Sequence, residues 1–176
     1  MWYVIQVSTG KEAKVCELVK HAAHERCGDL ERTVLRECFV PLYQVERKFH
    51  GEYRVVSRNL FPGYVIAVSS DVGKLNRLLH GVSAFTRILG SSREFVPLDR
   101  TEMAFINSFT SEKHRVVRVS RAVSEGDTIT VVEGPMVGKE GWIKKINRRK
   151  GTALVETVMF GRTIQAEIGL AVVSKG

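Results

Sequence analysis

Between Asp127 and Leu170 the chain is broken by turn signals too often for a helix, and it alternates between short β-rich runs. Ile129-Thr130-Val131-Val132 reads as a strand, and Glu133-Gly134-Pro135 follows as a turn. Gly138 and Gly141 bracket a short loop before Trp142-Ile143-Lys144-Lys145-Ile146 re-enters strand. The runs Ala153 to Phe160 and Arg162 to Ile168 bring these to four, which fit a unit of about five strands on the spacing of a small barrel. A basic cluster, Lys144, Lys145, Arg148, Arg149 and Lys150, is planted around one strand-to-strand turn.

Charge follows the same division. Residues 1–112 carry 15 Lys+Arg against 13 Asp+Glu, whereas residues 113–176 carry 12 against 6. Most of the net +8 therefore sits in the last third of the chain, as expected of a module that faces RNA or DNA. No apolar stretch approaches the length needed to span a bilayer, and no secretory signal opens the chain, so a cytoplasmic protein with no membrane partner is expected.

Three cysteines, Cys16, Cys27 and Cys38, lack C-x-x-C spacing. Cys16, His21, His24 and Cys27 could suggest a metal, but they fall on a helical pattern with Val15, Leu18, Val19 and Ala22 forming the apolar stripe. On a helix Cys16 and Cys27 lie about 16 Å apart, too far to share one tetrahedral ion. The expectation is therefore no metal, no cofactor, and cysteines that act as partly buried filler. No phosphate-cradling glycine loop, H-E-x-x-H or G-x-S-x-G occurs, so no catalytic residue is assigned and no enzyme is expected.

The amino-terminal part mixes strands and helices. Trp2 to Val7 reads as a strand, Ser8-Thr9-Gly10 as a capping turn, and Lys11 to about Arg26 as an amphipathic helix. Thr33 to Val40 is strand-like, Lys48 to Arg58 reads as a hairpin around His50-Gly51-Glu52, and Leu60 to Val68 as an apolar strand. Asp71 to Leu79 is a short helix, and Phe85 to Leu89 a strand. Asp99 with Glu102 caps a helix to about Phe109. This order predicts an α+β fold with a ferredoxin-like arrangement carrying an added hairpin. From Ser111 to Ser124 the pattern lapses into a polar, arginine-bearing stretch suited to a linker, within which Val116, Val117 and Val119 offer a short strand. The expected domains are 1–110 and 122–176, joined by 111–121.

Gly141-Trp142-Ile143 resembles the KOW motif of small SH3-like β-barrels. Trp2-Tyr3-Val4, Phe61-Pro62-Gly63-Tyr64-Val65, Gly81-Val82 to Gly90, Gly134-Pro135 and Phe160-Gly161-Arg162 occur in the order and spacing of NusG-family transcription factors. The chain thus resembles that family over nearly its whole length. The resemblance implies an amino-terminal NGN domain that binds RNA polymerase and bridges the cleft around the nucleic acid, with non-template DNA as a further contact. Phe61 and Tyr64 match the family's polymerase-binding aromatics, with Tyr3 and Pro62 beside them. Without an interruption at Pro62-Gly63, Phe61 and Tyr64 would point to opposite sides of a strand.

The family pattern is not kept throughout. General members carry aromatics after Gly-Pro and three residues later, which touch the termination factor Rho or a ribosomal protein. Met136 and Lys139 stand there instead, which argues against either partner. With the basic cluster, the departure resembles the specialised LoaP-like antiterminator paralogs, whose barrel binds an RNA hairpin. The RNA-binding residues expected on this basis are Lys139, Lys144, Lys145, Arg148, Arg149, Lys150 and Arg162, in a monomer. The alternatives are a general member coupling polymerase to Rho or the ribosome, and a ribosome-associated KOW protein.

Overall fold

The computed structural model describes residues 1–27, 34–90, 94–110, 115–126 and 128–174, with the side chains of residues 26, 27 and 174 outside that description. In chain order the strands and helices begin β1 (Trp2–Val7), α1 (Glu12–Cys27), β2 (Glu37–Phe39), β3 (Leu42–Phe49), β4 (Glu52–Asn59) and β5 (Tyr64–Val68). They continue α2 (Val72–His80), β6 (Thr86–Ile88), α3 (Arg100–Phe109), β7 (Val116–Val117) and β8 (Ser120–Glu125). The last are β9 (Thr128–Glu133), β10 (Ile143–Asn147), β11 (Thr152–Met159) and β12 (Arg162–Ser174). The chain separates into two compact units, Met1–Val40 with Phe61–Met103, and Pro41–Leu60 with Ala104–Gly176.

The first unit is built on a sheet of order β2-β5-β1-β6, with antiparallel neighbours. Tyr3, Ile5 and Val7 of β1 point to one side, because strand residues alternate. There they meet Val15, Cys16, Val19 and Ala23 of α1 and Leu75, Leu78 and Leu79 of α2 in one core. The α1 residues recur at helical spacing, so one stripe of that helix is buried. Asp71 caps α2, its Oδ1 accepting the Lys74 N–H at 2.9 Å. In α3 the capping box forms in both directions: the Asp99 N–H reaches Glu102 Oε2, and the Glu102 N–H reaches Asp99 Oδ1, each at 2.8 Å.

The second unit holds two sheets. β4-β3-β7 is a hairpin plus a short parallel strand, and β10-β11-β12-β8-β9 is five-stranded. Within the latter β12 runs parallel to β8, and the other neighbours are antiparallel. Ala122, Val131, Met136, Ala153, Val155, Met159, Ala166, Ile168 and Leu170 are its buried apolar residues. His50 and Gly51 both have positive φ, 47° and 92°, the signature of a tight two-residue hairpin turn.

Three expectations change at this level. The hairpin begins at Leu42 rather than Lys48, since Tyr43 and Val45 already alternate inward. The strand expected from Leu60 starts only at Tyr64, after a turn closed by the Tyr64 N–H on the Phe61 carbonyl at 3.2 Å. Of the stretch 111–121, residues 111–114 lie outside the described residues, Val116–Val117 form the short strand β7 that the valines there offered, and Ser120 opens β8 inside the expected linker. β8 escapes a hydrophobicity reading because two of its three inward positions are the serines Ser120 and Ser124. Cys16 Sγ lies 3.5 Å from Cys38 Sγ in the first core, while the Cys27 side chain lies outside the described residues. Among the described residues no helix is long and apolar enough to cross a membrane.

Candidate functional site

The Phe61–Tyr64 segment is a rigid turn tied to the start of α1. Gly63, at φ +87°, donates its N–H to Glu12 Oε1 at 2.7 Å, and its carbonyl accepts the Val7 N–H at 2.8 Å. Glu12 is buried at the amino end of α1, where the helix dipole favours a carboxylate. The turn interrupts the strand, as the spacing of two aromatics requires. Pro62 is exposed and Tyr64 half-buried, whereas Phe61 is buried. Tyr3 lies in the helix-facing core, its hydroxyl donating to Met1 Sδ at 3.4 Å. Tyr64 pairs with Gln6, whose side chain points to the opposite face from Tyr3. The structure thus brings Phe61, Pro62 and Tyr64 together and sets Tyr3 on the other side of the sheet.

The basic cluster is shaped by a bulge and a turn. Ile143 pairs with Val155 and Lys145 with Leu154, so Lys144 is the extra residue of a β-bulge on the sheet-edge strand β10. Consecutive strand residues ordinarily face opposite ways, but here Lys144 and Lys145 are both exposed. The turn that follows is closed by Asn147 Oδ1, which accepts the Lys150 N–H at 2.9 Å, and by Gly151 at φ +61°. Arg148, Arg149 and Lys150 are exposed on it. Arg148 Nη2 donates to Ser124 Oγ at 2.9 Å, and Lys144 Nζ lies 3.7 Å from Glu156 Oε1.

Two expected members lie elsewhere. Arg162 opens β12 opposite Met159, whereas the basic turn adjoins the Thr152–Gly169 end of the same strand pair. Seven strand steps, about 23 Å, separate the two ends. Lys139 turns towards α3: its Nζ sits 4.5 Å from the Phe109 ring centre and donates to the Pro135 carbonyl at 3.0 Å. Trp142 stacks on Phe105 with ring centres 5.8 Å apart and meets Phe109 edge-on at 5.6 Å. No local pattern foretold this aromatic group, because Trp142 lies more than thirty residues from Phe105 and Phe109. Met136 is completely buried, its N–H donating to Ser120 Oγ at 3.1 Å.

Beneath the turn, Tyr43 of β3 donates its hydroxyl to Glu167 Oε2 at 2.9 Å, and Thr152 donates to Oε1 at 2.8 Å. Burial and the Glu167 carboxylate push Tyr43 up to about 12. For Glu167 burial acts upward, but the two hydroxyl donors and the charges of Lys150 and Arg47 outweigh it and hold the carboxyl below its ordinary value.

The family model described as transcription termination factor NusG matches residues 1–107. The chain belongs to the NusG family. A KOW motif model matches residues 125–156, which span the bulge and the basic turn. Among curated relatives, the transcription termination/antitermination protein NusG of Yersinia pestis is 28% identical, the match covering 99% of this chain and 96% of that protein. Its counterpart in Thermus thermophilus is 26% identical, covering 99% and 97%, and that of Rickettsia typhi 25% identical, covering 99% and 89%. A solved structure of Thermotoga maritima NusG superposes with a TM-score of 0.57 at 20% identity, over 97% of this chain and 92% of that one. The likeness to that structure is one of fold. The family consists of transcription factors rather than enzymes, and the chain is a transcription elongation factor of NusG type with an amino-terminal NusG part and a KOW part.

Proposed function

We propose that this NusG-family member is a processive antiterminator of the LoaP-like kind, which binds RNA polymerase through residues 1–110 and an RNA hairpin through residues 122–176. The exposed turn around Pro62 and Tyr64 supplies a rigid, partly apolar surface with a hydroxyl handle for polymerase. Phe61 supports that surface from inside rather than meeting the partner, and Tyr3 sits in the core on the other face of the sheet. We read the first sheet as ferredoxin-like and the five-stranded sheet as SH3-like. No bond is made or broken. The protein keeps polymerase in an elongating state on transcripts whose hairpin it holds.

The observation that carries this reading is the bulged edge strand and its turn, which present five basic side chains together on one hairpin. Folded RNA is recognised largely through its shape and phosphates, and Lys and Arg match that chemistry. Rho or ribosome coupling is less favoured. Met136 is buried and Lys139 is turned onto Phe109, so neither offers the exposed aromatic surface that general members carry there.

In a reconstituted transcription assay on a terminator-bearing template with a structured leader, the full chain is expected to raise readthrough. Arg148→Ala/Arg149→Ala should abolish the gain while polymerase still co-purifies. Tyr64→Ala should weaken polymerase binding by about 1–3 kcal/mol while keeping RNA affinity. Readthrough that survives loss of RNA binding would defeat the antiterminator reading.

A further inference from the structure

The basic turn does not stand alone in its unit. Gly151 lies against β3, where a side chain at that position would meet the Glu46 carbonyl at 3.7 Å and Val45 Cγ2 at 4.0 Å. Tyr43, on the same face of β3 as Val45, holds Glu167, which also feels the charges of Lys150 and Arg47. The β3–β4 hairpin therefore continues from the foot of the basic turn.

That face of the hairpin is itself arginine-rich. The register sets Arg47 directly opposite Arg54, and Arg58 opposite Tyr43, with the pair Val45 and Val56 between them. Like charges placed directly across a strand pair repel each other. The acidic groups facing them are Glu52, 3.5 Å from Arg54, and Glu167, already engaged by Tyr43 and Thr152. Arg47 Nε is buried with no hydrogen-bond partner among the described residues. At the tip Phe49, 45% exposed, lies on the same face opposite Glu52. An arginine row ending in an exposed ring suits phosphates followed by an unstacked base.

We propose that Arg47, Arg54 and Arg58 of the β3–β4 hairpin, with Phe49 at its tip, extend the Arg148–Lys150 turn into one continuous surface for a structured RNA. The assignment rests on the RNA-binding reading of the basic turn and deepens it. The turn grips one stretch of backbone, the arginine row follows the stem onward, and Phe49 stacks on a base where the helix opens. Repulsion between Arg47 and Arg54 is relieved when a phosphate lies between them. DNA is the competing ligand.

The test uses the full chain and a fluorescein-labelled RNA stem–loop, with a DNA stem–loop of matching sequence. Arg54 and Arg58 are exposed, so Arg54→Ala/Arg58→Ala should leave the thermal midpoint unchanged. It should weaken RNA binding at least roughly tenfold and lower the salt slope by about one for each phosphate no longer neutralised. Arg54→Lys/Arg58→Lys should restore most of the affinity, and Phe49→Ala should weaken binding without changing the slope. Unchanged affinity in Arg54→Ala/Arg58→Ala beside a steep loss in Arg148→Ala/Arg149→Ala would overturn this extension and leave the RNA reading standing. If neither double variant bound RNA more weakly, the RNA reading would fall with it. An equal loss on the DNA stem–loop would overturn the assignment to RNA.

Discussion

Single residues carry different loads at the Phe61–Tyr64 turn. Gly63 stands at φ +87°, and a Cβ there would meet Thr9 Oγ1 at 3.2 Å. Gly63→Ala should therefore cost about 1–2 kcal/mol, read as a lower urea midpoint. Phe61→Ala should cost more, about 3–5 kcal/mol, because it empties a buried ring site. Polymerase binding by the folded fraction of Phe61→Ala then separates support from direct contact, with Tyr64→Ala as the comparison. At the other unit the Tyr43–Glu167 hydrogen bond sets a pH window. Glu167 has a lowered carboxyl, so its contribution is present above the ordinary value of 4.5 and fades as pH falls below it. Tyr43 is raised to about 12 from 10.0, so its contribution is full below 10 and is lost as pH rises from 10 to 12. Tyr43→Phe should flatten the alkaline limb of a stability profile measured by denaturant titration.

Elements depend on signals of unequal range. The capping box of α3 is local and was legible as Asp99 followed three residues later by Glu102. Asp99→Ala should destabilise by about 1 kcal/mol, seen as faster amide exchange through the first turn of α3. The same sequence logic found β1, α1, α2 and the hairpin turn at His50-Gly51. It failed at β8, whose inward Ser120 and Ser124 make no apolar stripe; these serines instead accept hydrogen bonds from the Met136 N–H and from Arg148. It also failed to see the bulge at Lys144, since an extra strand residue is defined only by the partner strand. Deleting Lys144 should remove the bulge and restore strict alternation along β10. Ile143 opposite Val155 and Ile146 opposite Ala153 would keep the inward side and Lys145 the outward one, so the deletion should lower RNA affinity while leaving the thermal midpoint little changed.

At the scale of the whole molecule, the compact units do not follow simple chain order. The β3–β4 hairpin belongs to the same unit as residues 104–176, through Tyr43–Glu167, the Arg121–Glu46 ion pair at 2.9 Å, and the close seat of Gly169 against Gln44. A fragment ending at residue 110 should retain the β2-β5-β1-β6 sheet but exchange the amides of β3 much faster than the full chain does. Equal protection in the two would mean that the hairpin needs no support from residues 115–174. Phe109→Ala should likewise red-shift Trp142 emission, read in a Trp2→Phe background, because water reaches the indole where the ring had covered it.

Read alone, the sequence establishes the family, the α+β character of the chain, the β-rich last third, and the grouping of Lys144 to Lys150 around one turn. Those features rest on short-range causes: alternation, glycine and proline punctuation, and capping residues, each acting within a few positions. The tertiary structure alone decided that Phe61 is buried while Pro62 is exposed, and that Lys139 leaves the basic cluster for Phe109. It also decided that three arginines far back in the chain line up beside the basic turn. Such outcomes depend on which distant segment becomes the neighbour, and packing such as Tyr43 against Glu167, more than a hundred residues on, leaves no periodic trace in either segment.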